Sequence, residues 1–322
     1  MQPNKHKSAF AASLVIPTCN RRAELRELLY SARKQTVPVE IIVMDDGSTD
    51  GTAEMMRDEF PGISYERFAG PNGPSFLRNR GAQRTDAMIL FFLDDDSVLT
   101  SPRTIEQTLA EFEHPRVGAV GIPYINIRQD KVVQERAPNT ERIYVAHAFV
   151  GAAHAIRREV FLKLGGYREH FFYMGEEGDF CIRMMNHGYV VRLGCADPVC
   201  HYESPKRSSE RMDFYGRRND ILFVWQNVPM PYLPIHLAAT TLNGFAHAAT
   251  RAKHPFRMLS GIMNGYRDCA RHWSKRRPVR ASVYRLHRQL KKKGPLQLQE
   301  IESNLPSLSG KIPGDSQVPC QT

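Results

Sequence analysis

Three consecutive aspartates, residues 94–96, are the side chains whose type and spacing most directly suggest chemistry. They follow residues 87–93, an unbroken apolar run of strand length, which is typical of a parallel strand covered on both faces. Carboxylates packed this closely repel one another unless a positive charge lies among them. Asp94 and Asp96 are two residues apart and so on one side of the chain, which predicts a divalent cation held between them. A solvated acidic turn is the alternative interpretation.

A second acidic cluster, Asp45-Asp46-Gly47-Ser48, follows another apolar run at residues 39–44. The carboxyl ends of parallel strands meet at one edge of a sheet, so we expect both clusters to face the same crevice. A carboxylate of the earlier cluster suits the N–H and hydroxyl donors of a nucleoside, whereas the later cluster suits a metal ion that bridges phosphates. A tight turn that caps a helix explains the earlier cluster equally well.

Strands and helices alternate around these clusters, which predicts βαβ units on a mostly parallel sheet and therefore an α/β fold. Asn20 is a candidate cap for the first helix, and Pro102 stands where a later helix could begin with proline at its first position. A further helix, over about residues 179–187, should end at Gly188. Strands are expected at residues 13–16, 39–44, 63–67 and 87–93, with helices between them.

The basic character of the chain is concentrated in one segment. The formal net charge is +10 over 322 residues, in a composition that is ordinary for a soluble globular protein. Residues 251–293 contain fourteen Lys or Arg and a single acid, Asp268, so this segment carries +13 and the rest of the chain −3. Apolar side chains such as Phe256, Ile262 and Trp273 are interleaved with the cations.

This interleaving is typical of a helix that lies on an anionic membrane face. A hydrated amphipathic helix packed on the body is the second interpretation. Nucleic-acid binding is the third, and because no nucleic-acid-binding signature accompanies the basic patch, we expect no nucleic-acid partner.

Cysteine usage and the N-terminus favour a cytoplasmic protein. The six cysteines form no CxxC pair and no small-domain disulfide spacing, so reduced thiols are expected. Lys5 and Lys7 precede an apolar run, but no small-residue cleavage site follows it, and we interpret the run as a buried strand. Residues 221–250 contain no Lys, Arg, Asp or Glu, yet prolines interrupt them, so they should lie in a membrane interface or on the body rather than span a bilayer.

Taken in order, several of these stretches resemble one family. Four of them look like family 2 glycosyltransferases with the GT-A fold, and two later stretches are similar to the acceptor-side segment of that family. The resemblance covers about residues 12–202, and the fixed order is more specific than any single stretch. The stretches are residues 15–21 (Val-Ile-Pro-Thr-Cys-Asn-Arg), 45–52, 78–81 (Arg-Asn-Arg-Gly), 92–96 (Phe-Leu-Asp-Asp-Asp), 165–167 (Gly-Gly-Tyr) and 175–179 (Gly-Glu-Glu-Gly-Asp).

The resemblance implies a Rossmann-like, mostly parallel sheet flanked by helices, and a reaction that inverts the anomeric carbon of a sugar-nucleotide. The donor would be a UDP-sugar, or a dTDP- or GDP-sugar, and the acceptor a hydroxyl of a glycan or of a lipid-linked glycan. Mn²⁺ or Mg²⁺ would stabilise the charge that develops on the leaving diphosphate, and a histidine ligand favours Mn²⁺.

The resemblance also implies roles for individual residues. Asp46 would hold the uracil or ribose, and Arg78 stands where the family has an arginine near the nucleotide. Asp94 and Asp96 would form the DxD motif, with Asp96 the more direct metal ligand, and His201 would complete the metal or diphosphate site. The nucleotide-binding set is Pro17, Thr18, Arg21, Asp46, Arg78 and Asp95.

Glu177 is the candidate for the base that deprotonates the acceptor hydroxyl on the face opposite the leaving group. It precedes a predicted helix beside Glu176 and Asp179, and crowded carboxylates raise one another's pKa. The alternative interpretation is that acids are favoured at a helix N-terminus by its dipole. The family usually has aspartate at this place, so Glu176 or Asp179 could share or take the role.

Other positions near the predicted site are less diagnostic. Cys19 replaces an aromatic side chain that stacks on the base in many members of the family. Gly151 and Ala152 are expected to border the acceptor pocket together with His154, although His154 could equally be a core histidine. Arg218 could reach the diphosphate, but a solvated basic turn is the commoner outcome.

The resemblance and the composition together predict three parts of the chain. The first is a catalytic domain over residues 10–225, with a nucleotide-binding half at about 10–100 and an acceptor half at about 101–225. The second is a basic helical extension over residues 226–293, and the third a tail over residues 294–322 whose composition predicts disorder. We expect a cytoplasmic protein, peripheral on the inner membrane face if the acceptor is lipid-linked.

Two other functions remain open at this point. A sugar-nucleotide nucleotidyltransferase on a related fold usually needs a glycine-rich phosphate loop after the first strand, and residues 17–22 contain no glycine. A catalytically degenerate relative that acts as a membrane-attached partner is the non-enzymatic alternative. Failure to bind any nucleoside diphosphate with Mn²⁺ would favour that alternative.

Overall fold

The computed structural model describes residues 10–203, 208–250 and 252–308. They form a nine-stranded sheet with helices on both faces, a four-stranded second sheet and a group of C-terminal helices. The strands are β1 (Ala12–Thr18), β2 (Val39–Asp45), β3 (Ser64–Arg67), β4 (Ile89–Leu93), β5 (Ser97–Leu99), β6 (Val117–Gly121), β7 (Tyr124–Asn126), β8 (Val133–Gln134), β9 (Tyr144–Ala146), β10 (Ala153–Arg157), β11 (Val190–Leu193), β12 (Val199–His201) and β13 (Leu296–Gln297).

The helices follow the predicted alternation through the first hundred residues and dominate the chain after residue 208. They are α1 (Arg22–Ala32), α2 (Thr52–Glu59), α3 (Pro74–Gln83), α4 (Thr104–Ala110), α5 (Arg158–Lys163), α6 (Glu176–Met185), α7 (Ser209–Asn227), α8 (Tyr232–Thr250), α9 (Pro255–Arg271), α10 (Ala281–Lys293) and α11 (Leu298–Ile301).

The large sheet has the order β13-β9-β11-β6-β10-β4-β1-β2-β3. The pairings place seven of its strands in one direction, with β9 and β10 running against them, so the sheet is mostly parallel. In the small sheet, with the order β5-β12-β7-β8, β12 runs antiparallel to β5. This pairing brings the chain around residue 201 beside the end of β4, which decides the geometry of the site.

The central strands are covered on both faces, as their unbroken apolar sequence predicts. Leu14 and Ile16 of β1 belong to one buried cluster and Val15 to the other, because successive side chains of a strand point to opposite faces. Phe91 and Phe92 of β4 divide between the clusters in the same way. The sheet is therefore a rigid platform whose strand ends have fixed positions.

Glycine allows one helix to approach this platform closely. Gly81 of α3 lies against β1, where an added Cβ would overlap the side chain of Val15. The close contact fixes α3 and hence the side chain of Arg78, one helical turn earlier.

Two local predictions about helix starts are wrong. Asn20 has a left-handed backbone, with φ 55°, and α1 begins after it at Arg22. The first amide of α1, that of Arg22, instead donates to the carboxylate of Asp50, which is distant in sequence. Pro102 precedes α4 by two residues, so it does not occupy the first helical position. Tertiary contacts outweigh both local signals.

The prediction of disorder from residue 294 is wrong for residues 294–308. β13 adds to the edge of the large sheet by pairing with β9, and Leu298, Ile301 and Leu305 are buried. The segment has few large apolar residues, but they fall where the sheet edge and α10 can cover them. The remainder of the predicted tail, residues 309–322, lies outside the described residues.

The uncharged stretch at residues 221–250 forms the end of α7 and all of α8. Within the described part of the chain, no helix has both the length and the apolar character needed to cross a bilayer.

Candidate active site

The three aspartates follow β4 at the carboxyl edge of the sheet, where the residues after β1 also lie. Asp95 accepts a hydrogen bond from the hydroxyl of Thr18 at 2.8 Å and forms an ion pair with Arg21 at 2.7 Å. Arg21 also reaches Asp96 at 3.1 Å. Burial raises the pKa of Asp95 to about 7, although Arg21 opposes that shift. Arg21 is therefore a counter-charge that holds the acidic cluster together.

Two of the three aspartates and a histidine form a group that could hold a metal ion. Single ligand atoms of Asp94, Asp96 and His201 all lie within 4.8 Å of one another. His201 Nε2 is 3.3 Å from Asp96 Oδ1, because β12 pairs with β5 and sets His201 opposite Ser97. Metal–ligand distances of about 2.1 Å require only small side-chain rotations from this arrangement. Two carboxylates and one imidazole suit Mn²⁺ or Mg²⁺, with the imidazole favouring Mn²⁺.

Arg78 connects this metal-binding group to the start of α6. Its guanidinium is buried and donates to Asp94 at 2.7 Å and to Glu176 at 3.0 Å, with Glu177 4.0 Å away. Burial alone would lower the pKa of Arg78, but the charges of Asp94 and Glu176 hold it above its ordinary value. Arg78 therefore stays charged and connects the end of β4 with the start of α6, where Glu177 is the predicted base.

The three acids at the start of α6 have three different environments. Glu176 is buried against Arg78, and burial followed by the charge of Glu177 raises its pKa. Glu177 keeps 18% of its side chain accessible and lines the cleft, and burial raises its pKa while Arg78 acts against the shift. Gly151 leaves space for this carboxylate, since a Cβ at position 151 would overlap Glu177 Oε1.

Asp179 is turned away from the cleft into the protein interior. It is fully buried and pairs with Arg168 at 2.6 Å and with Arg183 at 2.9 Å, while Asn227 donates to it at 2.8 Å. Burial opposes its ionisation, but Arg183 and Arg168 hold its pKa below the ordinary value. Asp179 therefore connects α6 to α7, and of the three acids only Glu177 reaches the cleft.

The cleft has a volume of about 390 Å³, and the strand end and α6 meet in it. Asp94, His201 and Glu177 all line it, together with Gly151 and Ala152 as the sequence predicts. A second cavity of about 260 Å³ shares the residues at the start of α6 with the cleft and extends toward α7 and α10. Its further lining includes His147, Arg217, Asp220, Phe223, His287 and Lys291.

Asp46, the predicted nucleoside ligand, holds a loop in place. Its carboxylate accepts from the amide of Asn72 at 2.8 Å, from the side chain of Asn72 at 3.0 Å and from the amide of Gly73 at 3.0 Å. Gly70 packs so closely that an added Cβ would overlap the carbonyl of Asp46. The neighbouring Pro17 and Thr18 end β1 beside it.

For His154 the structure supports one of the two sequence interpretations, and for Arg218 it supports neither. His154 is a core histidine: its ring is buried, stacks on Phe149 and bonds to the hydroxyl of Tyr167 at 2.6 Å. Arg218 lies within α7 and pairs with Asp268 while also donating to the carbonyl of His170 at 2.9 Å. Arg218 is thus neither at the strand ends nor in a solvated turn.

Sequence reasoning did not identify the residues of the second cavity. They come from the segment after β9, from α7 and from α10, so about 140 residues separate His147 from Lys291. No sequence pattern links these residues. The excess of cations in α10 is the sequence feature that could have pointed to this cavity.

A family model and several known glycosyltransferases match the sequence of this chain. The model of glycosyl transferase family 2 matches residues 13–173. An uncharacterized glycosyltransferase of Haemophilus influenzae is 30% identical over 224 residues, which are 66% of this chain and 75% of that protein. The O-antigen chain rhamnosyltransferase RfbN of Salmonella typhimurium is 27% identical over 221 residues, which are 62% of this chain and 69% of the relative.

Solved structures show the same fold at low sequence identity. A mannosyltransferase of Pyrobaculum calidifontis in complex with GDP-Man and Mn²⁺ has a TM-score of 0.54, with 18% identity, 82% of this chain covered and 86% of the other. TarS of S. aureus in complex with UDP-GlcNAc has a TM-score of 0.56, with 17% identity and 80% of each chain covered. With this GT-A fold and the family match over residues 13–173, the chain belongs to the family 2 glycosyltransferases.

Proposed function

We propose that this glycosyltransferase moves a sugar from a nucleoside-diphosphate donor to an acceptor hydroxyl with inversion, using a divalent cation held by Asp94, Asp96 and His201. The observation that carries the proposal is the meeting of Asp94, His201 and Glu177 in one cleft. The neighbours that bind GDP-Man with Mn²⁺ and UDP-GlcNAc support this class of donor.

A bound divalent cation would stabilise the negative charge that the diphosphate gains as its bond to the anomeric carbon breaks. Arg21 and Arg78 hold the aspartates in place around that position through ion pairs of 2.7 to 3.1 Å. Preorganised carboxylates need little rearrangement when the donor arrives, which favours an electrostatic contribution to catalysis.

Glu177 is the proposed general base. It comes from α6, whereas the metal-binding group comes from the ends of β4 and β12, and both line the same cleft. An inverting reaction needs the base and the leaving group on opposite faces of the sugar, and the proposal is that a donor bound between these elements meets that requirement. The raised pKa of Glu177 increases its basicity toward the acceptor hydroxyl.

The acceptor is proposed to be a glycan or a lipid-linked glycan. One relative is named an O-antigen chain rhamnosyltransferase. The second cavity continues from the cleft past Glu177 and offers His147, Arg217 and Asp220 beside the ring of Phe223. A mixture of hydrogen-bond donors and acceptors with an aromatic ring suits the hydroxyl groups and C–H faces of a sugar.

The direct test is a panel of UDP-, GDP- and dTDP-sugars with Mn²⁺, Mg²⁺ or EDTA, scored for released nucleoside diphosphate. We expect release from one donor class, loss with EDTA, and loss in Asp96→Asn. Release of pyrophosphate instead would identify a nucleotidyltransferase. Absence of binding by any nucleoside diphosphate in the presence of Mn²⁺ would identify a degenerate relative and overturn the proposal.

A further inference from the structure

The outward side of α8 is an apolar surface that the described part of the chain leaves uncovered. Ile235 is 78% exposed and Leu242 67% exposed, and Phe245 is also exposed one turn later. Their spacing of three to seven residues places them on one face of the helix. Exposed alanines fill the same face, at positions 238, 239, 246 and 249, and Asn243 is the main polar interruption.

Helix α9 extends this surface. Ile262 of α9 packs against Gly244 of α8, and the hydroxyls of Thr241 and Tyr266 are 2.6 Å apart, so the two helices lie side by side. Met263 follows Ile262 and is 72% exposed, and Phe256 in the first turn of α9 is 85% exposed. Monomeric soluble proteins rarely expose apolar side chains in such continuity.

Arginines flank the apolar surface on both sides. On α9, Arg267 and Arg271 are exposed next to Tyr266 and the end of the apolar row. On α10, Arg285 donates to the hydroxyl of Tyr232 at 3.1 Å, and Arg288 lies 3.5 Å from His236. Tyr232 and His236 belong to α8, so the cations of α10 stand along its other edge.

We propose that the joined outward face of α8 and α9 docks on the headgroup region of a bilayer that contains anionic lipids. The apolar side chains would enter the interface, and the flanking arginines would contact lipid phosphates. A second copy of the chain is the less favourable occupant, because two such faces would bring like charges together. The inference does not depend on the sugar chemistry proposed above.

The docked face also has a defined relation to the cleft. Helix α10 flanks α8 through Arg285 and Arg288 and lines the second cavity through His287 and Lys291. A bilayer that contacts this face would therefore lie beside the proposed acceptor side of the protein.

The test is co-sedimentation of the full chain with vesicles of phosphatidylcholine alone and of phosphatidylcholine with phosphatidylglycerol. We expect binding only to the anionic vesicles, weakened by salt because exposed charges are screened. The double variant Leu242→Asp, Phe245→Asp should lower the partition coefficient at least tenfold. Met88→Asp is the matched control, since Met88 is 70% exposed but precedes β4 on the catalytic domain, and it should bind as the wild type does.

Three results would overturn the proposal: no binding of the wild type to anionic vesicles, equal binding by the double variant, or a concentration-dependent dimer that the double variant abolishes without any vesicle binding. If the double variant does not fold, Phe256→Asp replaces it, because this side chain is almost wholly exposed. Free phosphate at millimolar concentration should not compete, which distinguishes a lipid surface from a phosphate-binding site.

Discussion

The two acidic strand ends have similar sequences and different surroundings. At the end of β2, Asp45 is buried and accepts from Ser48 and from the hydroxyl of Tyr65, and Asp46 accepts from the loop that precedes α3. These hydrogen-bond donors are neutral, and the charged side chain of Arg67 is 3.9 Å from Asp45, so the carboxylates of this cluster build local structure.

The end of β4 is organised by charge. Asp95 and Asp96 contact Arg21, and Asp94 contacts Arg78. Asp94 also remains 22% accessible in the cleft and shares a metal-binding geometry with Asp96 and His201. An acidic run thus indicates a metal site when nearby arginines leave some of its carboxylate oxygens accessible. It indicates a turn when backbone amides bond to those oxygens.

The largest effect on activity is expected at the end of β4, where Asp96 belongs to the metal-binding group. Asp96→Asn should lower the transfer rate by roughly a thousandfold or more, because the loss of a metal-ligand charge removes several kcal/mol of transition-state stabilisation. Initial rates with saturating donor and Mn²⁺ measure this.

Asp45→Asn is its matched control at the other strand end. It should cost about 1–3 kcal/mol of stability, seen in denaturant unfolding, while the folded enzyme keeps its rate within a few fold. If Asp45→Asn abolished turnover and Asp96→Asn did not, the assignment of the two clusters would be reversed.

A second prediction distinguishes the acids of α6. Glu177→Gln should reduce turnover by about 10²–10⁴-fold and leave donor binding unchanged, since it removes a general base and keeps the side-chain volume. Glu176→Gln should have a much smaller effect, because Glu176 lies outside the cleft and the amide oxygen of glutamine can still accept from Arg78. Equal losses in both variants, measured as kcat, would argue against a unique role for Glu177.

The second cavity can be tested at a glycine. Gly216 lines it, and an added Cβ would meet no heavy atom within 4 Å. Gly216→Phe should raise the acceptor KM by about tenfold or more by occupying the cavity, whereas Gly216→Ala should leave it unchanged and favour the helix by about 1 kcal/mol. Donor hydrolysis without acceptor should be the same in both. An unchanged acceptor KM in Gly216→Phe would remove the cavity from the acceptor site.

A smaller effect on donor binding is expected for Asp46, at the end of β2. Asp46→Ala should raise the donor KM by about tenfold if the carboxylate also contacts the nucleoside, as the loss of a charged hydrogen bond predicts. Asn72→Ala removes one side-chain donor of the same loop and keeps both the carboxylate and its bonds from the amides of residues 72 and 73. If both variants show the same donor KM, Asp46 only holds the loop.

The pH dependence should show the smallest change. Because the pKa of Glu177 is raised, the acid limb of the kcat profile should lie above the ordinary glutamate value of about 4.3, with activity lost as the pH falls and the base becomes protonated. In Glu177→Gln the residual activity should lack this limb. A wild-type limb at or below the ordinary value would contradict a desolvated base.

Much of the fold followed from the sequence because β1 and β4 are buried on both faces. Their unbroken apolar runs have few alternative structures, and the turn residues between them are strong signals. The helix starts were less predictable: the amide of Arg22 is capped by Asp50, which lies far along the chain. Residues 294–308 were missed for the same reason, since β13 forms only because β9 offers a free edge.

The family, the placement of acidic residues at strand ends and the uneven charge could all be inferred from the sequence. These depend on residue order and composition, which are local properties. Tertiary structure alone decided which acids face the cleft, because Glu177 and Asp179 are two residues apart and differ only in what packs against them. It also decided that the described residues leave an apolar face of α8 uncovered between arginines of α9 and α10, since that depends on how these three helices lie side by side.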